Sequence, residues 1–339
     1  IITSFDSSGF SVGSNSNSNR SGDNFIAWNW KAGGATPSQT YVVKVVSDSG
    51  NKYRFDDFGT SAVTLDLQEG GSYIFNMDDA SNGSHPFSIG TSANSTVYTS
   101  GITYFLDGVS KTYSQYTSGF SSATTRRLHF TVPASAPVLY YWCSVHSGMG
   151  GQINTNAIFG SSNFSGSIQS RVSANTKAGF SIVAYNGNTT AGATVGHGLS
   201  SAPELMIVKR RDAVGNWFVY HRYANGLNSS DPETDYFVLE SPNVRQDNVT
   251  TWNDTQPTSS VFTIGADGWT NSNADYISYL FHSVEGYCKV GSYTGNGNSN
   301  TNVFVYTGFR PRFIFAKSAN GAYNWFIHDT TRDVDNFTI

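Results

Sequence analysis

The sequence predicts an all-β chain of tandem β-sandwich modules, and three observations carry that prediction. Short apolar runs alternate with period two and are separated by Gly, Asn and Ser turns. No long window repeats its apolar residues at helical spacing. Finally, Tyr185, Gly187, Asn188, Pro203, Lys209, Asn216 and Trp217 return in the same order as Tyr293, Gly295, Asn296, Pro311, Lys317, Asn324 and Trp325. The offset is constant at 108 residues, which is the mark of a repeated structural unit.

Composition narrows the function classes. Of 339 residues only 13% are charged, and the formal net charge is −4. No basic cluster predicts a nucleic-acid partner, and no apolar run is long enough for a membrane span. Aromatics reach 14% and glycines number 34, which suits short strands joined by tight turns.

Taken in order, residues 1–36 read as the closing hairpin of a preceding sandwich repeat. Phe10-Ser11-Val12-Gly13, a polar loop and Phe25-Ile26-Ala27-Trp28-Asn29-Trp30 mirror Phe262-Thr263-Ile264-Gly265 and Tyr276-Ile277-Ser278-Tyr279-Leu280-Phe281. Residues 40–155 form a different unit. There Val63-Thr64-Leu65-Asp66-Leu67 and residues 72–77 flank Glu69-Gly70-Gly71 and predict a hairpin. Residues 91–125 predict a long loop with short strands, and 156–176 a Ser/Asn-rich linker. A full repeat spans 177–286, and 287–339 begin the next, with strands expected at 205–209, 216–220, 313–317 and 324–328. Because both ends cut through repeat units, the last of them in a strand at 336–339, the sequence is expected to be a piece of a longer polypeptide.

The stretch 138–153, VLYYWCSVHSGMGGQI, concentrates the chemistry. Cys143, His146 and Met149 are each separated by two residues, so one tight loop can offer a thiolate, an imidazole and a thioether to a single ion. Those are blue-copper ligand types. Such a site needs a second imidazole from upstream, and His85 in Asn82-Gly83-Ser84-His85-Pro86-Phe87 is placed to supply it.

Residues 61–90 and 126–155 resemble the cupredoxin family. VTLDLQEGGSYIFNM followed by SHPFSI is similar to its strand, Gly-turn, strand and His-loop succession, and YYWCSVHSGMGGQI to its short Cys-His-Met loops. The resemblance implies a Greek-key β-barrel inserted between sandwich modules. It also implies a metal site of His85, Cys143, His146 and axial Met149, with copper as the ion. One departure is that His85 is followed by Pro86-Phe87, where the family usually has Pro before the His and Asn after it.

Other residues read as structural. His197 between Gly196 and Gly198 reads as a turn residue, and His221, His282 and His328 lack a second ligand at metal spacing. Asp78-Asp79 and Asp231-Pro232-Glu233 are weak calcium patterns. Trp217, Tyr220, Trp252, Trp269 and Trp325 offer sugar-stacking surfaces, although Trp217 and Trp325 recur at the repeat offset and so read as core. Cys143 and Cys288 lie in different units and are not expected to pair. No catalytic grouping stands out, so no enzyme is expected.

The phrases FIAWNWKAGG (25–34), VSANTKAGFSIVAYNGN (172–188), TVGHGLSSAP (194–203), HSVEGYCKVGSYTGNGN (282–298) and VYTGFRPRF (305–313) resemble a repeat of long virion proteins of marine tailed phages. That resemblance implies a structural protein of the virion surface, a tail fibre, tail-associated or decoration protein. Its expected partners are other virion proteins, further copies of the chain and a host-surface glycan. A secreted copper protein for electron transfer and a bacterial cell-surface adhesin are the alternatives.

Overall fold

The computed structural model describes residues 2–6, 8–15, 19–21, 27, 29–31, 37–225, 231–297 and 303–331. It divides into two bodies, Ile1–Lys31 and Ala32–Ile339. In the first, β1 (Ile2–Asp6) pairs antiparallel with β2 (Gly9–Val12). Of the strand expected at 25–30, residues 25, 26 and 28 lie outside the described residues and 27, 29 and 30 carry no strand; the one expected at 336–339 lies wholly outside them.

The second body is all-β apart from short helical turns, and it has two main cores. The first core fills the space between two sheets. One runs β4 (Asn51–Phe55), β3 (Ser38–Ser47), β6 (Ser72–Asn76), β10 (Arg126–Thr131), β8 (Ile102–Leu106), β9 (Val109–Lys111). The other runs β5 (Leu65–Gln68), β12 (Gly151–Asn156), β11 (Leu139–Cys143), β7 (Phe87–Gly90). Two pairings are parallel, β3 with β6 and β5 with β12. The closed barrel expected for 40–155 is not what forms. β4 and β9 end one sheet, β5 and β7 end the other, and no ladder among the described residues joins them. Two open sheets stacked face to face bury the same alternating residues without closure.

A second correction concerns residues 63–77. The expected hairpin is a crossing between sheets, because β5 pairs with β12 while β6 pairs with β3 and β10. The Gly turn is anchored to both sides: Glu69 N–H donates to Asn156 O and Gly70 N–H to Val132 O, at 2.7 and 2.8 Å. Leu65, Leu67, Tyr73 and Phe75 then all point into one core, each at most 1% exposed. Period-two alternation is identical for a hairpin and for such an arch, so the pattern alone could not separate them.

Aromatic rings make up much of this core. Phe75 and Phe87 stack at 4.9 Å, Phe87 and Tyr141 at 5.6 Å, and Phe55 meets Tyr141 edge-on at 5.1 Å. Within the expected loop 91–125 lies a helix, α1 (Tyr113–Gly119), capped reciprocally by Thr112 and Gln115. Its one buried side chain, Tyr116, donates to Phe87 O at 3.1 Å.

The linker stretch 156–176 carries β13 (Ser161–Asn163) and β14 (Ser170–Asn175), which form one end of the next sheet. Phe164 is buried in the first core and Ile168 in the second, and Gln169 Nε2 donates to Thr64 O at 2.8 Å.

The second core lies under an eight-stranded sheet. After β13 and β14 come β15 (Phe180–Asn186), β22 (Asp275–Phe281), β17 (Leu205–Arg210), β18 (Trp217–His221), β19 (Asp235–Val238) and β20 (Gln246–Asp247). A two-stranded sheet, β16 (Ala193–Gly196) with β21 (Val261–Ile264), and the helical turn α2 (Val249–Trp252) cover it. Trp252, Phe262, Ile264 and Tyr276 are at most 1% exposed there. The turn α3 (Gly268–Asn271) leads into β22.

β17 and β18 form a hairpin in register Leu205↔His221 to Lys209↔Trp217. β23 (Phe313–Ala316) and β24 (Phe326–Asp329) form a second, in register Phe313↔Asp329 to Ala316↔Phe326. Each pair sits 108 positions beyond its counterpart. The lysine contacts match too: Lys209 Nζ donates to Arg210 O and Ala213 O, and Lys317 Nζ to Ser318 O and Gly321 O.

His221 links this module to pH. Its Nδ1 accepts the Tyr223 N–H at 3.1 Å, and burial lowers its pKa to about 4 against a smaller upward pull from Glu204. Above about pH 6.5 the imidazole is neutral in both the folded and the unfolded chain. Between there and about pH 4 the unfolded chain takes up a proton that the fold refuses, so stability falls as pH falls. The expected loss is about 3 kcal/mol, complete only once the pH is below the folded pKa. Urea titrations across this range should show that slope, and His221→Gln should flatten it. An equal slope in the variant would assign the effect to other groups.

Candidate functional site

The ligand candidates converge because of one strand pairing. β7 and β11 run antiparallel with Cys143 opposite Phe87, which carries His85 to the end of β11. The Ser144 N–H donates to Pro86 O at 3.0 Å and fixes the crossing. His146 then comes from the turn between β11 and β12, whose ladder restarts at Tyr141↔Gly151.

The turn is held from several sides. Tyr53 N–H donates to Met149 O at 2.9 Å, Gly148 N–H to Asn94 Oδ1 at 3.3 Å, and Lys52 Nζ to Gly148 O. Tyr53 Oη donates to His85 O at 2.9 Å, and His85 N–H to Asn82 O at 2.8 Å. Asn82 is fully buried and its Nδ2 donates to Val43 O at 2.8 Å. Gly148 has φ +75°, and a Cβ on Gly150 would lie 1.7 Å from Tyr141 O, so neither position admits an ordinary side chain without strain.

Cys143 Sγ lies 3.8 Å from His85 Nδ1 and 3.7 Å from His146 Nδ1. The two imidazoles are 4.6 Å apart, centroid to centroid. With bonds of about 2.3 Å to sulfur and about 2.0 Å to nitrogen, an ion in a trigonal plane needs sulfur and nitrogen about 3.7 Å apart. The observed separations meet that demand. His85, Cys143 and His146 are the one such cluster of His, Cys or acidic ligand atoms among the described residues, all within 4.8 Å of one another. Met149 is buried in the same core as Cys143.

Burial grades the set. Cys143 and His85 are buried, whereas His146 is exposed and gives the cluster an edge to solvent. Burial first, then the neighbouring His146, lowers the His85 pKa, which favours the neutral imidazole a metal requires. Pro86 has no N–H, so no backbone donor for the sulfur can come from that position. A bound copper ion would supply one-electron redox chemistry; Cys143, His85, His146 and Met149 are the residues that would hold it.

The remaining candidates fall into structural places. His197 is fully buried, with Nε2 3.1 Å from Thr258 O and Nδ1 accepting Leu199 N–H. His282 bonds Ser283 O, and neither it, His221 nor His328 joins a metal-type cluster among the described residues. Asp78 holds Arg126 N–H and Arg127, and Asp79 caps a short turn at Ser81. Trp252 and Tyr220 are core, Trp217 stacks on Tyr279, and Trp325 stacks on Phe315 and donates to Val238 O. Cys143 and Cys288 are both free thiols.

Sequence reasoning missed a cavity of about 400 Å³ beside β18 and β19, lined by Trp269 among others. Its side chains come from three separated segments, 216–218, 236–246 and 267–269, and only Trp269 carried a readable hint.

Residues 1–56 and 154–338 match a family described as a domain of unknown function, DUF7483. The interval between the matched parts, 57–153, contains His85, Cys143, His146 and Met149. No curated protein matches the sequence. The match takes in well over half of the chain, which therefore belongs to the DUF7483 family and carries its metal-type cluster in the stretch between the two matched parts.

Proposed function

We propose that the chain is a structural protein of a phage virion surface, in which sandwich modules act as spacers and residues 40–155 ride among them as a cupredoxin-like passenger. The observation that carries the spacer reading is the doubled hairpin. Register and lysine contacts recur 108 residues apart, as expected of units laid end to end. The family match, interrupted at 57–153, supports a splice near those positions. Other virion proteins, further copies of the chain and a host glycan are the proposed partners, and the virion exterior the proposed location. Mass spectrometry of purified particles, with antibody labelling in electron micrographs, tests this. Particles carrying the chain on their exterior are the expected result. The same chain confined to bacterial envelopes would favour the adhesin reading and overturn this one.

A second reading, a copper protein of electron-transfer type, is favoured by the ligand geometry. Sulfur and two imidazole nitrogens stand at the spacing one ion requires, and the exposed His146 offers a route to a redox partner. The passenger's two open sheets, with β3 parallel to β6 and β5 parallel to β12, provide the rigid frame such chemistry needs.

A further inference from the structure

The cavity beside β18 and β19 has the make-up of a binding site. Tyr236, whose ring stacks at 4.9 Å on the buried Phe218, lines it, and Trp269 adds an indole. That indole is pinned against the backbone of Gly215, where even a Cβ would lie 1.9 Å from the ring. Around these rings stand the side-chain amides of Asn216, Asn243 and Gln246, all on exposed residues. None of the three amides, nor the Tyr236 hydroxyl, has a hydrogen-bond partner among the described residues.

Each amide offers a donor and an acceptor in one plane. Such a plane matches two neighbouring hydroxyl groups, and a flat ring suits the C–H face of a pyranose. Glu240 and Asp267 are the only ionisable acids at the cavity, and no Lys or Arg lines it. Phosphates, nucleotides and acidic sugars would meet repulsion there. About 400 Å³ lies toward the small end of ligand pockets and fits one or two sugar rings.

The following hairpin clasps the cavity wall. Lys317 Nζ donates to Pro242 O at 3.1 Å, and Arg245 N–H to Ala319 O at 3.2 Å. The loop that bears Asn243 is thus held in place before any ligand arrives, which lowers the ordering cost of binding. Asn216 and Phe218 also recur as Asn324 and Phe326 in that hairpin.

We propose that this cavity binds a neutral saccharide, with the Tyr236 and Trp269 rings as the stacking surface and Asn216, Asn243 and Gln246 as the hydroxyl readers. The proposal rests on the surface-attachment reading and gives it a location on the chain. The test uses the full chain, a panel of neutral mono- and oligosaccharides, and saturation-transfer NMR followed by calorimetric titration. At least one neutral saccharide should bind, and the double variant Asn243→Ala/Gln246→Ala should weaken it at least tenfold. Both positions are exposed, so the variant's far-UV circular dichroism should equal that of the parent. Trp269→Phe should keep measurable binding and Trp269→Ala should lose it. Binding confined to sulfated or sialylated sugars, binding unmoved by the double variant, or no binding at millimolar sugar would each overturn the proposal. Chain found on virions that binds no saccharide would sink the cavity site alone and leave the surface assignment standing.

Discussion

Copper(II) should give the parent chain an intense visible thiolate-to-copper absorption, and Cys143→Ala should abolish it and weaken copper binding by more than about 100-fold. Outer partners of a metal alone cost about 10- to 100-fold, and here a ligand itself is removed. The thiol is buried and surrounded by core residues, so the variant leaves only a small void and should stay folded. His146→Ala, at an exposed position, should lose the band with little loss of stability. Met149→Leu should retain a shifted band, because the exchange conserves volume and costs less than about 1.5 kcal/mol. Absorption titrations against copper(II) decide the matter. An unchanged spectrum in Cys143→Ala would remove the thiolate from any metal site.

Phe87→Ala should cost about 3–5 kcal/mol, the range for emptying a buried aromatic site. Phe87 is fully buried, stacks on Phe75 and Tyr141, and is the residue paired with Cys143. Its ring thus ties the two sheets together directly below the ligand loop. Urea denaturation followed by near-ultraviolet circular dichroism should show the first sandwich unfolding at lower denaturant, with the second core's transition in place. A shift below about 1 kcal/mol would mean that the cavity collapses, and that the ring stack contributes little.

Much of the candidate site was readable in the linear sequence because one loop carries most of its residues. Cys143, His146 and Met149 are spaced by the turn itself, and Gly148 and Gly150 announce the tight path. His85 required a partner strand, and only the Cys143↔Phe87 pairing brings it to the sulfur. The hairpins at 205–221 and 313–329 were legible because alternation and a repeat offset agreed. The arch at 69–71 was not, since alternation does not say which sheet a strand joins. Helix α1 spans only seven residues, too few for a periodic signal. The strands at 161–163 and 170–175 are short, rich in Ser and Asn, and drawn into the sheet by neighbours rather than by their own propensity. The cavity depended on residues scattered from 216 to 269, which no local pattern gathers.

Phe164 and Ile168 sit four positions apart, each rooted in a different core. Fully stretched, that tether reaches about 14 Å. Tension applied along the polypeptide would pass from one sandwich to the other with almost no slack. The joint would behave as a stiff coupling, and it would yield only when one of those two anchors is pulled out of its seat.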